Sequence, residues 1–203
     1  VRILDHQTQA LTLPMNVLVS GQKIEKISSA KISSPTQDVV KINGGGKTLM
    51  PGLIDVHVHM VFGSLTMTQM MSPDMSEEML MNKVGEASHK MLMRGFTSVR
   101  DAGGPIFPLK LAIDKGKVVG PRIWPSGATI SQTAGHGDFR TPDERSRRFF
   151  GKASRAEELG ATFIADGRDE VLTATRENLR FGASQIKLMA GGGTSSAYDP
   201  VGG

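Results

Sequence analysis

The chain has 203 residues, of which 38% are hydrophobic and 22% charged, and its net charge of +4 comes from 24 basic and 20 acidic side chains. Those proportions belong to an ordinary globular protein with one or two cores, and they exclude a disordered or fibrous chain. No segment approaches the ~20 consecutive apolar residues of a membrane span, cysteine is absent, and the basic residues form no run suited to a nucleic-acid groove.

Residues 1–48 read as short β-prone pieces, Val1–Leu4, Met15–Val19, Lys23–Ile27 and Val39–Ile42. Ser20-Gly21, Ser33-Ser34-Pro35 and Asn43-Gly44-Gly45-Gly46 part them as turns. They predict a small sheet or part of a β-sandwich, forming a first domain. From Leu49 onward strands alternate with helices, making residues 49–203 the second domain. The first strand spans about 50–58, where Leu53, Ile54, Val56 and Val58 suit a strand buried on both faces.

A helix is predicted at about 77–94, with Ser76 as N-cap, Glu77 and Glu78 in the first turn, and Leu80, Val84, Ala87 and Met91 as its apolar stripe. Gly95 closes it. Phe96–Arg100 is the second strand, a helix near 106–115 ends at Gly116, and the third strand runs about 121–128. After an irregular insertion, a helix at 168–181 closes on Gly182 and the fourth strand is Ser184–Ala190. The densest basic cluster, Arg145, Arg147, Arg148, Lys152 and Arg155, reads as a solvated helix face. Nine of the twelve methionines fall between Met60 and Met93, and they read as pliable packing around a lid and the first helix.

This alternation predicts βαβ units on a parallel sheet, either half of a (β/α)8 barrel or an open doubly wound sheet. In both, ligands gather at the carboxyl ends of the strands. Four features meet there: His57 with His59, Asp101 with Gly103-Gly104, the loop Ser131–Asp138, and Lys187 with the Gly191-Gly192-Gly193 turn.

Residues two apart on a strand share a face, so His57 and His59 can aim two imidazoles at one metal ion, or serve as structural histidines. Lys187 lies in an apolar strand, where an amine is costly unless neutralised, so it reads as a lysine that snorkels to water or pairs with a carboxylate. It is also placed to react with CO2 and give a carbamate, an anionic bidentate donor able to bridge two metals about 3.5–4 Å apart.

In Ser131–Asp138 the small residues allow close approach to a ligand and His136 and Asp138 supply polar contacts; the alternative is a turn held by an Asp138–His136 hydrogen bond. Tyr198, the one tyrosine, sits just past the fourth strand, as a substrate contact or as a plain loop residue. His6 and His89 read as surface residues. Gly44-Gly45-Gly46-Lys47-Thr48 lacks P-loop spacing, and neither a Gly-x-Ser-x-Gly elbow nor a cysteine nucleophile is present.

Taken together, Met50-Pro51-Gly52-Leu53-Ile54-Asp55-Val56-His57-Val58-His59, Gly95–Asp101, Gly120-Pro121-Arg122, Ser126-Gly127-Ala128 leading into Ser131–Asp138, and Ile186–Met189 resemble the amidohydrolase superfamily. Gly135–Asp138 and Ala165-Asp166-Gly167 resemble its branch of Xaa-Pro dipeptidases, N-acyl amino-acid carboxypeptidases and ochratoxin-hydrolysing amidases. The resemblance implies an α/β fold, the first half of a (β/α)8 barrel preceded by part of a small β-sandwich.

It also implies a hydrolase of C–N bonds in dipeptides or N-acyl amino acids. Two divalent metals, expected to be zinc, would sit on His57, His59 and a Lys187 carboxylated by CO2 to a carbamate. A bridging hydroxide would attack the carbonyl, with His136 and Tyr198 touching substrate. A homo-oligomer is the implied assembly, with no nucleic-acid or membrane partner.

The pattern further calls for two histidines and an aspartate from later barrel strands, so the chain looks like the first half of a protein about twice its length that needs its second half for activity. Two rival readings remain open. One is hydrolysis of another cyclic amide, lactam or ester on the same scaffold, and the other is an inactive fragment or binding module. The chain opens without Met, which leaves room for a removed leader, so a soluble protein of cytoplasm or export is expected with the compartment unread.

Overall fold

The computed structural model describes residues 1–33, 38–72, 74–193, 196, 198 and 199, in two compact units, Val1–Gly52 and Leu53–Gly203. In the first unit, strand β1 (Arg2–Asp5) pairs antiparallel with β2 (Ala10–Leu11). Strands β3 (Asn16–Ser20) and β4 (Lys23–Ser28) form an antiparallel hairpin whose turn holds Gly21, with a bulge at Leu18/Val19. Thr48–Leu49, which straddle the expected domain boundary, form strand β5 of this unit, parallel to β1.

The expected strand at Val39–Ile42 does not form. Val40 and Ile42 are 83% and 89% exposed, and β-propensity without a ladder partner or a covered face does not hold a strand. The last two positions of the Ser33-Ser34-Pro35 turn lie outside the described residues.

The second unit begins with β6 (Leu53–Val58), α1 (Met67–Met71), α2 (Glu77–Met93), β7 (Phe96–Asp101), α3 (Phe107–Asp114) and β8 (Arg122–Pro125). β6, β7 and β8 pair in parallel in that order. Helix α2 starts where its cap predicts: Ser76 Oγ accepts from the Met79 N–H at 3.2 Å. Its Leu80 and Val84 bury against Val99, Ile106, Leu109 and Ile123, with Met60, Leu65 and Met70 completing the core. Most of the methionine-rich stretch is therefore packing, as expected, although Met79 and Met93 are exposed.

Strand β6 differs from expectation. Its composition predicts a strand covered on both faces, yet Ile54 and Val56 are 67% and 58% exposed. β6 is the edge of its sheet and pairs only with β7 among the described residues, so its apolar run is suited to cover that this unit does not supply.

The expected third strand, about 121–128, shortens to β8, and after a break at Ser126–Ala128 a further strand not expected from the sequence, β9 (Thr129–Ser131), begins. Gly127 takes φ +74°, and a Cβ there would lie 2.5 Å from Asn178 Oδ1. Asn178, buried, accepts from Ala128 N–H at 3.0 Å and donates to Ala128 O at 2.9 Å. A side chain fifty residues away thus occupies the hydrogen bonds that a continuous ladder needs.

The insertion is more regular than its sequence suggests. It contains α4 (Arg147–Phe150), α5 (Arg155–Glu158) and β10 (Thr162–Ile164), and beyond it lie α6 (Arg168–Phe181) and β11 (Leu188–Met189). β9 is central in a second parallel sheet of order β10-β9-β11. The fourth predicted strand shrinks to Leu188–Met189. Upstream of it, Ser184 N–H bonds Pro125 O at 2.7 Å, and Gln185 Nε2 donates to Trp124 O at 2.8 Å, a side chain standing in for a ladder. Arg147, Arg148 and Arg155 of the basic cluster pair with Glu157, Glu170 and Glu158. No described helix is long and apolar enough to cross a membrane.

Candidate functional site

One parallel ladder pairs the end of β6 with β7 and another pairs β9 with β11, and the two sheets approach at Gly103, where a Cβ would lie 2.6 Å from Thr129 Cγ2 and 3.6 Å from His59 Nδ1. At the end of β6, the rings of His57 and His59 stand 5.2 Å apart between centroids. His57 is exposed and its N–H donates to Asp55 Oδ1 at 3.0 Å. His59 is half-buried against Phe62, ring centroids 5.8 Å apart.

Its Nδ1 is buried and has no hydrogen-bond partner among the described residues. Burial first, then the charges of His57, Lys187 and His136, hold His59 below the usual imidazole pKa, so it is neutral and able to donate a lone pair at pH 7. That the same three residues act on His59 means the structure brings His57, His59, Lys187 and His136 to one place.

Lys187 sits one residue before β11, and its carbonyl accepts from Ile130 N–H at 2.9 Å. It is half-buried rather than enclosed in an apolar strand, and no carboxylate pairs with it among the described residues. The ion-pair reading of Lys187 is therefore not what the fold shows.

The loop Ser131–Asp138 is clamped at several points. Gly137 N–H donates to Ser131 Oγ at 3.0 Å. Thr133 donates twice to Asp166, from N–H at 2.9 Å and Oγ1 at 2.6 Å. Ala134, a non-glycine at φ +59°, donates its N–H to Asp138 Oδ2 at 2.8 Å; that left-handed backbone costs about 1–3 kcal/mol and persists only where neighbours impose it.

An Asp138–His136 bond is one reading of this turn from the sequence, and it is absent. Asp138 is engaged by Arg140, whose Nε donates at 2.7 Å and whose Nη2 donates to the second oxygen. Burial pushes Asp138 up, but Arg140 and the Ala134 amide outweigh it and hold the carboxylate below its ordinary pKa. His136 turns instead to the segment after β11: its Nδ1 lies 2.6 Å from Ser196 Oγ. Gly193 backs onto the ring so closely that a Cβ would fall 2.3 Å from its Cε1. Tyr198 is 53% exposed and joins none of the histidines by a hydrogen bond among the described residues. His6 and His89 are exposed, as expected.

Sequence reasoning does not find Arg140 or Ser196, and it marks Asp166 only as part of Ala165-Asp166-Gly167, without its bonds to Thr133. The Asp138-x-Arg140 spacing is the one local signal, since the other contacts span 33 and 60 residues. The sequence marks Asp101 only as a strand-end residue, yet it is fully buried. Burial pushes its carboxyl up to about 7 against the Met60 and Gly103 amides.

A carboxyl whose folded pKa lies above its ordinary value of 3.8 keeps its proton while the unfolded chain gives its proton up. It therefore subtracts stability as pH rises from about 4 to 7, by up to about 4 kcal/mol, and by a constant amount above that. Denaturant midpoints of the metal-free protein at pH 4.5, 6 and 8 should show Asp101→Asn gaining on the parent as pH rises; a gap independent of pH contradicts this account.

The described residues contain no group of three or more His, Cys, Asp or Glu able to hold a metal. What they offer is part of a donor set: two neighbouring imidazoles, one neutral with an unpartnered buried nitrogen, beside an unpaired lysine. That set fits a borderline-soft divalent ion such as zinc.

The amidohydrolase family profile matches residues 48–202. Ochratoxinase of Aspergillus niger is 38% identical over 160 residues, 74% of this chain and 32% of the relative. The crystal structure of a prolidase complexed with N-methylphosphonate-L-proline superposes with a TM-score of 0.83 at 34% identity, covering 99% of this chain and 48% of that one. A Xaa-Pro dipeptidase with methionine bound in its active site gives 0.72 at 26% identity, covering 95% and 46%. The chain thus spans about a third of the curated relative and about half of the solved chains.

Proposed function

The chain belongs to the amidohydrolase family, and from that premise we propose that it carries the first part of a metal-dependent hydrolase of C–N bonds in dipeptides or N-acyl amino acids. The observation that carries the proposal is the pair His57 and His59 at the end of β6 with the charge of Lys187 acting on it, His59 being held below the usual imidazole pKa and its buried Nδ1 having no hydrogen-bond partner among the described residues. The half-barrel that parallel sheets and solved relatives support brings that end to the face where such folds keep their chemistry.

In this reading His57 and His59 would hold a divalent ion, and Lys187, once it carries a carbamate, would add an anionic donor to the same site. The Lys187 ammonium would give up one proton to solvent to free its lone pair, bond its nitrogen to the carbon of CO2, and release a second proton from that nitrogen, which turns a cation into an anionic carbamate with two oxygen donors. The metals, when bound, supply a Lewis acid and an activated water. Around them, the clamps on Ser131–Asp138 hold His136 in a fixed position toward substrate, at little entropy cost on binding. Tyr198 is the second substrate contact. The likeness to a prolidase and a Xaa-Pro dipeptidase favours small peptides as the substrate class.

Elemental analysis of the intact protein, with a mass measurement on the peptide containing Lys187, tests the reading. About two zinc-like ions per chain are expected, with hydrolysis of a dipeptide panel lost on chelation and regained with zinc and bicarbonate. A protein that binds no metal after such incubation, or that hydrolyses dipeptides equally well in chelator, is not this enzyme.

A further inference from the structure

We infer that Asp101 is a positioning residue for the metal ligand His59: its carboxylate takes over from the β6–β7 ladder where that ladder ends and fixes the peptide on the C-terminal side of the histidine. The inference rests on the metal-hydrolase reading above. Val58 and Asp101 are the last paired residues of β6 and β7, after a register shift between Asp55 and Val58. Ala102 N–H donates to Val58 O at 2.8 Å, and there the backbone pairing stops. His59 lies one residue beyond it.

Asp101 then reaches forward. Its Oδ1 accepts from Met60 N–H at 2.7 Å, and its Oδ2 accepts a longer bond from Gly103 N–H at 3.4 Å. The C-terminal side of His59 is thereby tied to β7, and its carbonyl is held by Gly63 N–H at 2.7 Å. With both flanking peptide groups fixed, the imidazole swings only about its own side-chain torsions.

Gly103 completes the arrangement. A Cβ there would lie 2.6 Å from Thr129 Cγ2 and 3.6 Å from His59 Nδ1, so the residue tethered by Asp101 Oδ2 also closes the space beside the ring. No cation pairs with Asp101 among the described residues, and the side chain has no exposure to water. An unpaired buried carboxyl is a costly way to hold a loop, and a metal ligand that must be aimed is a reason to keep one.

The test measures zinc affinity of the intact protein by competition with a chromophoric chelator. Asp101→Ala, which leaves the Met60 amide unheld, should weaken zinc binding about 10–100-fold. Asp101→Asn keeps an acceptor for Met60 and should stay within about threefold of the parent. A purely structural role predicts a lower Tm for Asp101→Ala at unchanged zinc affinity, and that result overturns the inference.

Hydrogen exchange on the unsubstituted protein gives a second readout that does not depend on the variants folding. By reciprocity, zinc should slow exchange of the Met60 amide at least about tenfold more than that of Ala102. A Met60 amide indifferent to zinc also overturns the inference. A parent protein that takes up no zinc defeats the hydrolase reading itself, and this inference with it.

Discussion

Replacing His59 by Asn in the intact protein is expected to lower kcat/KM on a dipeptide substrate by at least on the order of a thousandfold, about 4 kcal/mol of transition-state stabilisation, with zinc content falling in step. The metal-free fold should barely notice. His59 is half-buried and its Nδ1 has no hydrogen-bond partner among the described residues, so no such bond is lost with the ring. Asn keeps a polar group in that place, so what the metal-free fold loses is the ring's packing on Phe62.

His57→Asn serves as the companion. That ring is exposed and its backbone N–H, rather than its ring, makes the local bond to Asp55, so its loss touches the metal and little else. The measurement is a pair of numbers for each variant, Tm without metal and kcat/KM with it. A His59→Asn protein that retains zinc and turns over at the parental rate removes the metal from the argument. One that loses Tm by many degrees makes His59 a structural residue.

That His57 and His59 can be read from the sequence at all is a consequence of local periodicity: a two-residue repeat on a strand is decided by neighbours. The same holds for α2, whose Ser76 cap and Gly95 stop are adjacent to the helix they terminate, and for the ends of α3 and α6 at Gly116 and Gly182. The features that escape a sequence reading are non-local. Nothing near residues 121–131 announces that Asn178 will bond both backbone groups of Ala128 and part β8 from β9.

Nor does the pattern around Asp101 disclose a carboxyl with no exposure to water. The exposed run on β6 misleads in the opposite sense. Its composition describes the surroundings it suits, and this unit leaves those faces open. His136 shows both sides, since its loop is legible from its glycines and small residues, whereas its partner Ser196, 60 residues on, is not.

Lys187 gives the sharper test of chemistry, because the same side chain would behave oppositely as an ammonium and as a carbamate. As an ammonium it sits beside two imidazoles and adds to the charge that depresses His59, and such a cation repels a metal. As a carbamate it is an anion that bridges two. Lys187→Ala should therefore abolish the second metal and reduce kcat/KM by on the order of a thousandfold or more. Lys187→Arg should do the same, since a guanidinium keeps the charge and cannot lose a proton to attack CO2.

Lys187→Glu supplies a carboxylate without needing CO2, though on a shorter stem. It should recover part of the metal content that the alanine variant loses, independently of bicarbonate. The parent alone should load metal faster as bicarbonate is raised. Were Lys187→Arg to load two metals and turn over substrate, or were parental loading indifferent to bicarbonate, the lysine would be acting as a cation. The bridging role would then fall even with His57 and His59 still holding their ion.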